Sequence, residues 1–132
     1  MKILIITALV QFATLCSFAQ STGNPSLRNS KWKGHIESPE SMDIIFDFKN
    51  DTVIVTSADM TELETMLFWQ NGDTVKLKKI SGTSPCDDIA IGSYHIEWQE
   101  KGDKIIIHNL ADPCLERATA ITSALAYFRV KK

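Results

Sequence analysis

Two cysteines bracket the segment that most limits what this chain can fold into. From Cys86 to Arg117 the sequence CDDIAIGSYHIEWQEKGDKIIIHNLADPCLER reads as a β-hairpin, with one cysteine before its first strand and one after its second. With Lys101 and Gly102 at the turn, Trp98 opposes Ile105, Ile96 opposes Ile107 and Tyr94 opposes Asn109. The reverse face carries His95, Glu97, Gln99, Lys104, Ile106 and His108. One apolar and one mixed face is the pattern of antiparallel strands that cover a single interior.

The cysteines also bear on compartment. Residues 1–19 have a basic start at Lys2, an apolar run from Ile3 and small residues at Ser17 and Ala19, the layout of a secretory signal cleaved after Ala19. Cys16 leaves with that segment. Cys86 and Cys114 are then the only cysteines in an oxidising destination, and a disulfide between them is expected. The expected location is periplasmic or extracellular, or at the outer membrane, with no stable membrane insertion after signal cleavage. The chain beyond the signal is long enough for one domain with a real core and too short for two. The full sequence has 14 Lys and Arg against 16 Asp and Glu. Without a basic footprint, nucleic acid is not an expected partner.

Residues 20–29 are polar with breakers at Gly23 and Pro25, and read as an exposed leader; 30–132 read as the folded domain. Lys31 to Glu37 alternates, with Trp32, Gly34 and Ile36 on one face. Two hairpins come next. A turn at Asn50 and Asp51 sets Phe48 opposite Val53 and Phe46 opposite Val55, with Ile44 on the same side. A turn at Asn71 and Gly72 sets Phe68 opposite Val75 and Met66 opposite Leu77, and turns Trp69 to the outer face. After the cysteine-bracketed hairpin, Asp112 and Pro113 look like the N-cap and first position of a helix reaching Thr122. Ala124 to Val130 reads as a last strand, with Phe128 and Val130 inward and Tyr127 and Arg129 on the other side. The expected fold is therefore all-β: an eight-stranded antiparallel up-and-down barrel with one short helix before the last strand. A sandwich or an open curved sheet is the alternative.

Trp32 and Gly34 on the first strand, the run of hairpins, the DPC and ER pairs between Asp112 and Arg117, and the Phe128–Arg129 pair near the end carry a resemblance. The chain resembles the small bacterial lipocalin-like proteins of the calycin group. That resemblance implies a Trp that closes the barrel bottom, matched by Trp32, and a late Arg packed over it, matched by Arg129 or Arg117. It departs from the family pattern at Ser30-Lys31-Trp32, where Gly-x-Trp is usual.

The interior admits two readings, a barrel filled by its own side chains or a cup for one small apolar ligand. In the second, Phe46, Phe68, Tyr94 and Trp98 line the wider end, and Tyr94 and Asn109 supply polar contacts. The competing role is protein binding or protease inhibition through the barrel rim and the leader, with a filled core and an unidentified protein partner. His95 and His108 face each other across their hairpin, but a metal site needs more ligands than Glu97 can add, so no metal or cofactor is expected. His35 has no expected partner. Asp87 and Asp88 form a loop pair without a partner, and no serine has a strand-turn-helix setting. The expectation is a binding protein, not an enzyme.

Overall fold

In a computed structural model of the protein, residues 25–131 are described. The expected signal segment, residues 20–24 of the expected leader and Lys132 lie outside them. Eight strands, β1 (Ser30–Ile36), β2 (Met42–Phe48), β3 (Thr52–Ser57), β4 (Glu62–Asn71), β5 (Thr74–Gly82), β6 (Ile91–Gln99), β7 (Lys104–Ala111) and β8 (Tyr127–Arg129), succeed one another around a closed antiparallel barrel. A helix, α1 (Leu115–Ser123), precedes β8. Every strand pairs with its sequence neighbours and β8 closes on β1, so among the described residues no strand is left at an open sheet edge.

Alternation decides the interior. β1 is buried at every second residue, Ser30, Trp32, Gly34 and Ile36, and solvated between them. The first and third hairpins have the expected registers, with Phe46 opposite Val55 and Ile96 opposite Ile107. The second hairpin is two residues out of the expected register. Gly72, at φ +60°, and Asp73 form its turn, and Phe68 pairs with Leu77. A slip of two preserves the face of every side chain, so Phe68 and Met66 stay buried and Trp69 stays outside.

The last strand is corrected. Tyr127 and not Phe128 points inward: Tyr127 is fully buried and Phe128 is half exposed. Val130 lies beyond β8 and is exposed. The cause is the closing seam, where Tyr127 sits opposite Gly34 and Arg129 opposite Trp32. A Cβ at position 34 would overlap the Tyr127 ring, so the missing side chain makes room for the aromatic. Tyr127 Oη donates to the Ile121 carbonyl at 2.6 Å, and burial pushes its hydroxyl pKa up. Gly34→Ala is expected to cost about 1 to 3 kcal/mol through overpacking; an unchanged thermal melt would show that Tyr127 does not fill this place.

The three short hairpin turns lie at one end of the barrel together with the start of β1 and the end of β8. This end is plugged. Trp32 and Trp98 meet edge to face at 5.9 Å, and Phe48 and Phe68 at 5.0 Å. Arg129 lies 4.6 Å over the Trp32 ring, which assigns the late arginine, and is held there by the Gly102 carbonyl. The leader is exposed only in part. Leu27 is fully buried under the plug, its N–H bonds to Gln70 Oε1 at 2.8 Å, and its carbonyl accepts from Ser30 Oγ, which also accepts from Trp32 Nε1 at 2.7 Å.

Candidate functional site

The other end carries the long connections and α1, and there the barrel is hollow. A cavity of about 530 Å³ opens between the upper strand ends, the β1–β2 and β5–β6 loops, and α1. Its floor and walls are apolar, formed by Ile44, Phe46, Val55, Leu63 and Met66 from β2, β3 and β4. Their spacing arises from period-two alternation: Ile44 and Phe46 face inward on β2, and Val55 stands opposite Phe46 on β3. The interior is thus neither wholly filled nor wholly hollow, with aromatic packing below and open volume above.

Of the five residues expected to line a ligand site, only Phe46 does so. Phe68 and Trp98 belong to the plug; Trp98 Nε1 donates to Asp73 at 3.2 Å. Tyr94 is fully buried and its hydroxyl donates to the Asp112 carboxylate, so it serves the frame and not the lumen. Asn109 is exposed near the end of β7. The expectation grouped residues by face and ignored height. Phe68 and Trp98 lie within a few residues of hairpin turns, and in an up-and-down sheet those turns gather at one end, so their position was readable from strand direction.

The roof is organised by an ion pair that sequence reasoning missed. Asp112 is not the helix N-cap: Cys114 takes that place without a side-chain cap, and Asp112 Oδ1 accepts from the Cys114 N–H at 2.8 Å. The same carboxylate accepts from Arg117 Nε at 2.7 Å and Arg117 Nη2 at 2.8 Å, a two-pronged pairing. Neither side chain meets water to any extent, at 5% exposure for Arg117 and 0% for Asp112. Gly92 permits this, because a Cβ there would overlap the Asp112 carboxylate. Burial alone would push the Asp112 pKa up, but the hydrogen bonds from Arg117, Tyr94 and the Cys114 N–H outweigh it and hold the carboxyl below its ordinary range. Burial disfavours the Arg117 charge, and its bonds to Asp112 more than restore it. Tyr94 is pushed up, first by burial and then by the Asp112 bond.

Arg117 lines the cavity, and its Nη2 also donates to the Ala90 carbonyl at 3.1 Å. Its Nη1 is buried and has no hydrogen-bond partner among the described residues. Glu64, also in the lining, is used by the β5–β6 loop: its carboxylate accepts from Ser84 Oγ at 2.8 Å and the Ser84 N–H at 3.1 Å. Lys79 Nζ stands 3.9 Å from Glu64 and donates to the Ser84 carbonyl at 2.6 Å. The Cys86–Cys114 disulfide is formed and ties that loop to the start of α1.

Outside the cavity, the His95 and His108 rings stack with centroids 6.0 Å apart, and His108 Nε2 lies 2.7 Å from Glu97 Oε2. That bond lowers the Glu97 pKa. No group of three or more His, Cys, Asp and Glu suited to a metal gathers among the described residues. Asp87 and Asp88 are exposed. His35, expected to be alone, has its Nδ1 2.7 Å from Asp43 Oδ1 and its Nε2 2.8 Å from Ser41 Oγ. The β1–β2 register pairs His35 with Asp43 directly. The order serine, histidine, aspartate is that of a nucleophile chain, but the ring is half exposed and Glu37 Oε1 stands 3.3 Å from the same Nε2. Open to water and flanked by a second carboxylate, the group lacks the desolvation that activates a serine.

A further hollow, also of about 530 Å³, runs along Trp69, Thr74, Lys76 and Ile91 on the outer face of the barrel. Its lining mixes Trp69 and Ile91 with polar side chains, and it lacks the converging buried groups of the mouth cavity. No helix among the described residues is long and apolar enough to cross a membrane. Comparison with protein-family models, with curated proteins and with solved structures finds no match to this chain.

Proposed function

We propose that this protein is an exported, non-enzymatic, lipocalin-like carrier that holds one small hydrophobic molecule in the upper half of its barrel. The observation that carries this reading is the cavity itself: about 530 Å³, apolar in its walls, above a sealed aromatic floor. Specific small-molecule sites commonly have volumes of about 300 to 1,000 Å³, apolar linings and a few placed polar groups. A disulfide between the only two cysteines beyond the signal-like segment accords with export to an oxidising compartment.

The test is titration with the environment-sensitive fluorophore N-phenyl-1-naphthylamine. Binding is expected to be saturable at one site, and Ala120→Trp on α1, which projects a large ring where Ala120 now lines the cavity, is expected to reduce it at least about tenfold. Ala120 is only partly buried, so the variant should melt within about 1 kcal/mol of the parent. Undiminished binding by a folded Ala120→Trp would place the ligand elsewhere.

A further inference from the structure

The unpartnered Nη1 of Arg117 bears on what kind of molecule enters. A buried N–H group with no acceptor is costly, and native proteins rarely leave one so. Arg117 is one-twentieth exposed, is locked by two bonds to Asp112 and one to the Ala90 carbonyl, and stands in the cavity lining. Its remaining nitrogen is an unpaired donor on a fixed side chain that borders an apolar chamber. We propose that the ligand is an uncharged amphiphile, a fatty ester, amide or alcohol, whose oxygen accepts a hydrogen bond from Arg117 Nη1 while its alkyl chain lies along Phe46, Val55 and Met66. This rests on the carrier reading and specifies the chemistry of the molecule carried.

Charge separates this from the more obvious partner of an arginine, a carboxylate. Asp112 already neutralises Arg117. The other ionisable residues of the lining are Glu40, Glu64 and Glu116, all acidic. Lys79 is the nearby cation, and it is engaged by Glu64 and the Ser84 carbonyl. An entering carboxylate would lose its hydration and face three carboxylates, with both Arg117 and Lys79 already committed. A neutral oxygen meets the donor without that cost.

The experiment is displacement of N-phenyl-1-naphthylamine from the full mature chain at neutral pH by four probes with the same chain: methyl decanoate, 1-decanol, decanoate and decane. The ester and the alcohol are expected to displace at about tenfold lower concentration than decane or decanoate. Arg117→Lys, which keeps a cation for Asp112 but removes the guanidinium donor, is expected to erase the advantage of the ester over decane. Decanoate equal to or better than the ester would overturn the proposal in favour of an anionic ligand. Decane equal to the ester in the parent protein, or an ester advantage that survives in Arg117→Lys, would show that Nη1 is not used. The headgroup comparison is made on the parent protein, so it stands even if Arg117→Lys folds poorly. Failure of all four probes and of the fluorophore to bind would instead remove the carrier reading, and this proposal with it.

Discussion

Asp112→Ala is expected to destabilise the fold by about 3 to 5 kcal/mol, because it leaves the Arg117 guanidinium buried without a counter-charge. It also strips the acceptor from Tyr94 Oη and the Cys114 N–H. Thermal and urea denaturation measure the loss, which at this chain size is roughly 4 °C or more of melting temperature per kcal/mol. Adding Arg117→Met should recover part of it, since no charge then stays buried. A double variant as unstable as the single would show that the missing charge pair is not the cause. The same carboxylate sets an acid limit. Its folded pKa lies below its unfolded value, so as the pH falls the unfolded chain takes up this proton first. The stabilisation is complete above the ordinary carboxylate range near pH 4 and is lost as the pH drops through the lower, folded value. Melts taken between about pH 5 and pH 2.5 should show this slope, and Asp112→Asn should flatten it.

Removing the disulfide is the second large effect. Cys86 and Cys114 are 28 residues apart, and closing a loop of that length stabilises by about 3 to 4 kcal/mol in the chain-entropy account. The variant should carry alanine at 114, because a serine at this N-cap would add a cap hydrogen bond of its own. Loss should be concentrated at the mouth: the bond joins the β5–β6 loop to α1, both of which border the cavity. Amide exchange in α1 is expected to rise before that in β1 and β2, and fluorophore affinity to fall with it. Uniform loosening of all strands would show that the bond clasps the whole barrel and not its roof.

Much of the frame was legible in local pattern. Trp32, Phe46, Val55, Ile96 and Ile105 were assigned to the interior by alternation and turn position alone, and they are buried there. The second hairpin shows why such readings tolerate error: a two-residue slip changed the partner of Phe68 and left its face intact. The cavity was much less legible. Alternation assigns a face and says nothing of height, so Phe46 was placed correctly while Phe68 and Trp98 were grouped with it from the wrong end. Tyr94 faces inward as alternation implies, but Asp112, in a distant segment of the chain, takes its hydroxyl, so it is no ligand contact.

Sequence alone determined the strand count, the inward set of the three hairpins and the pairing of Cys86 with Cys114, because period-two alternation, turn residues and cysteine number are local or countable properties. Tertiary structure alone decided that the lower half is filled and the upper half hollow, that Tyr127 displaces Phe128 at the seam, and that Arg117, a lining residue of the cavity, keeps one buried nitrogen unpaired. Each of those depends on where β8 meets β1 or where α1 crosses the mouth. These are contacts between distant segments, set by space left over when the barrel closes, and no short stretch of sequence encodes that space.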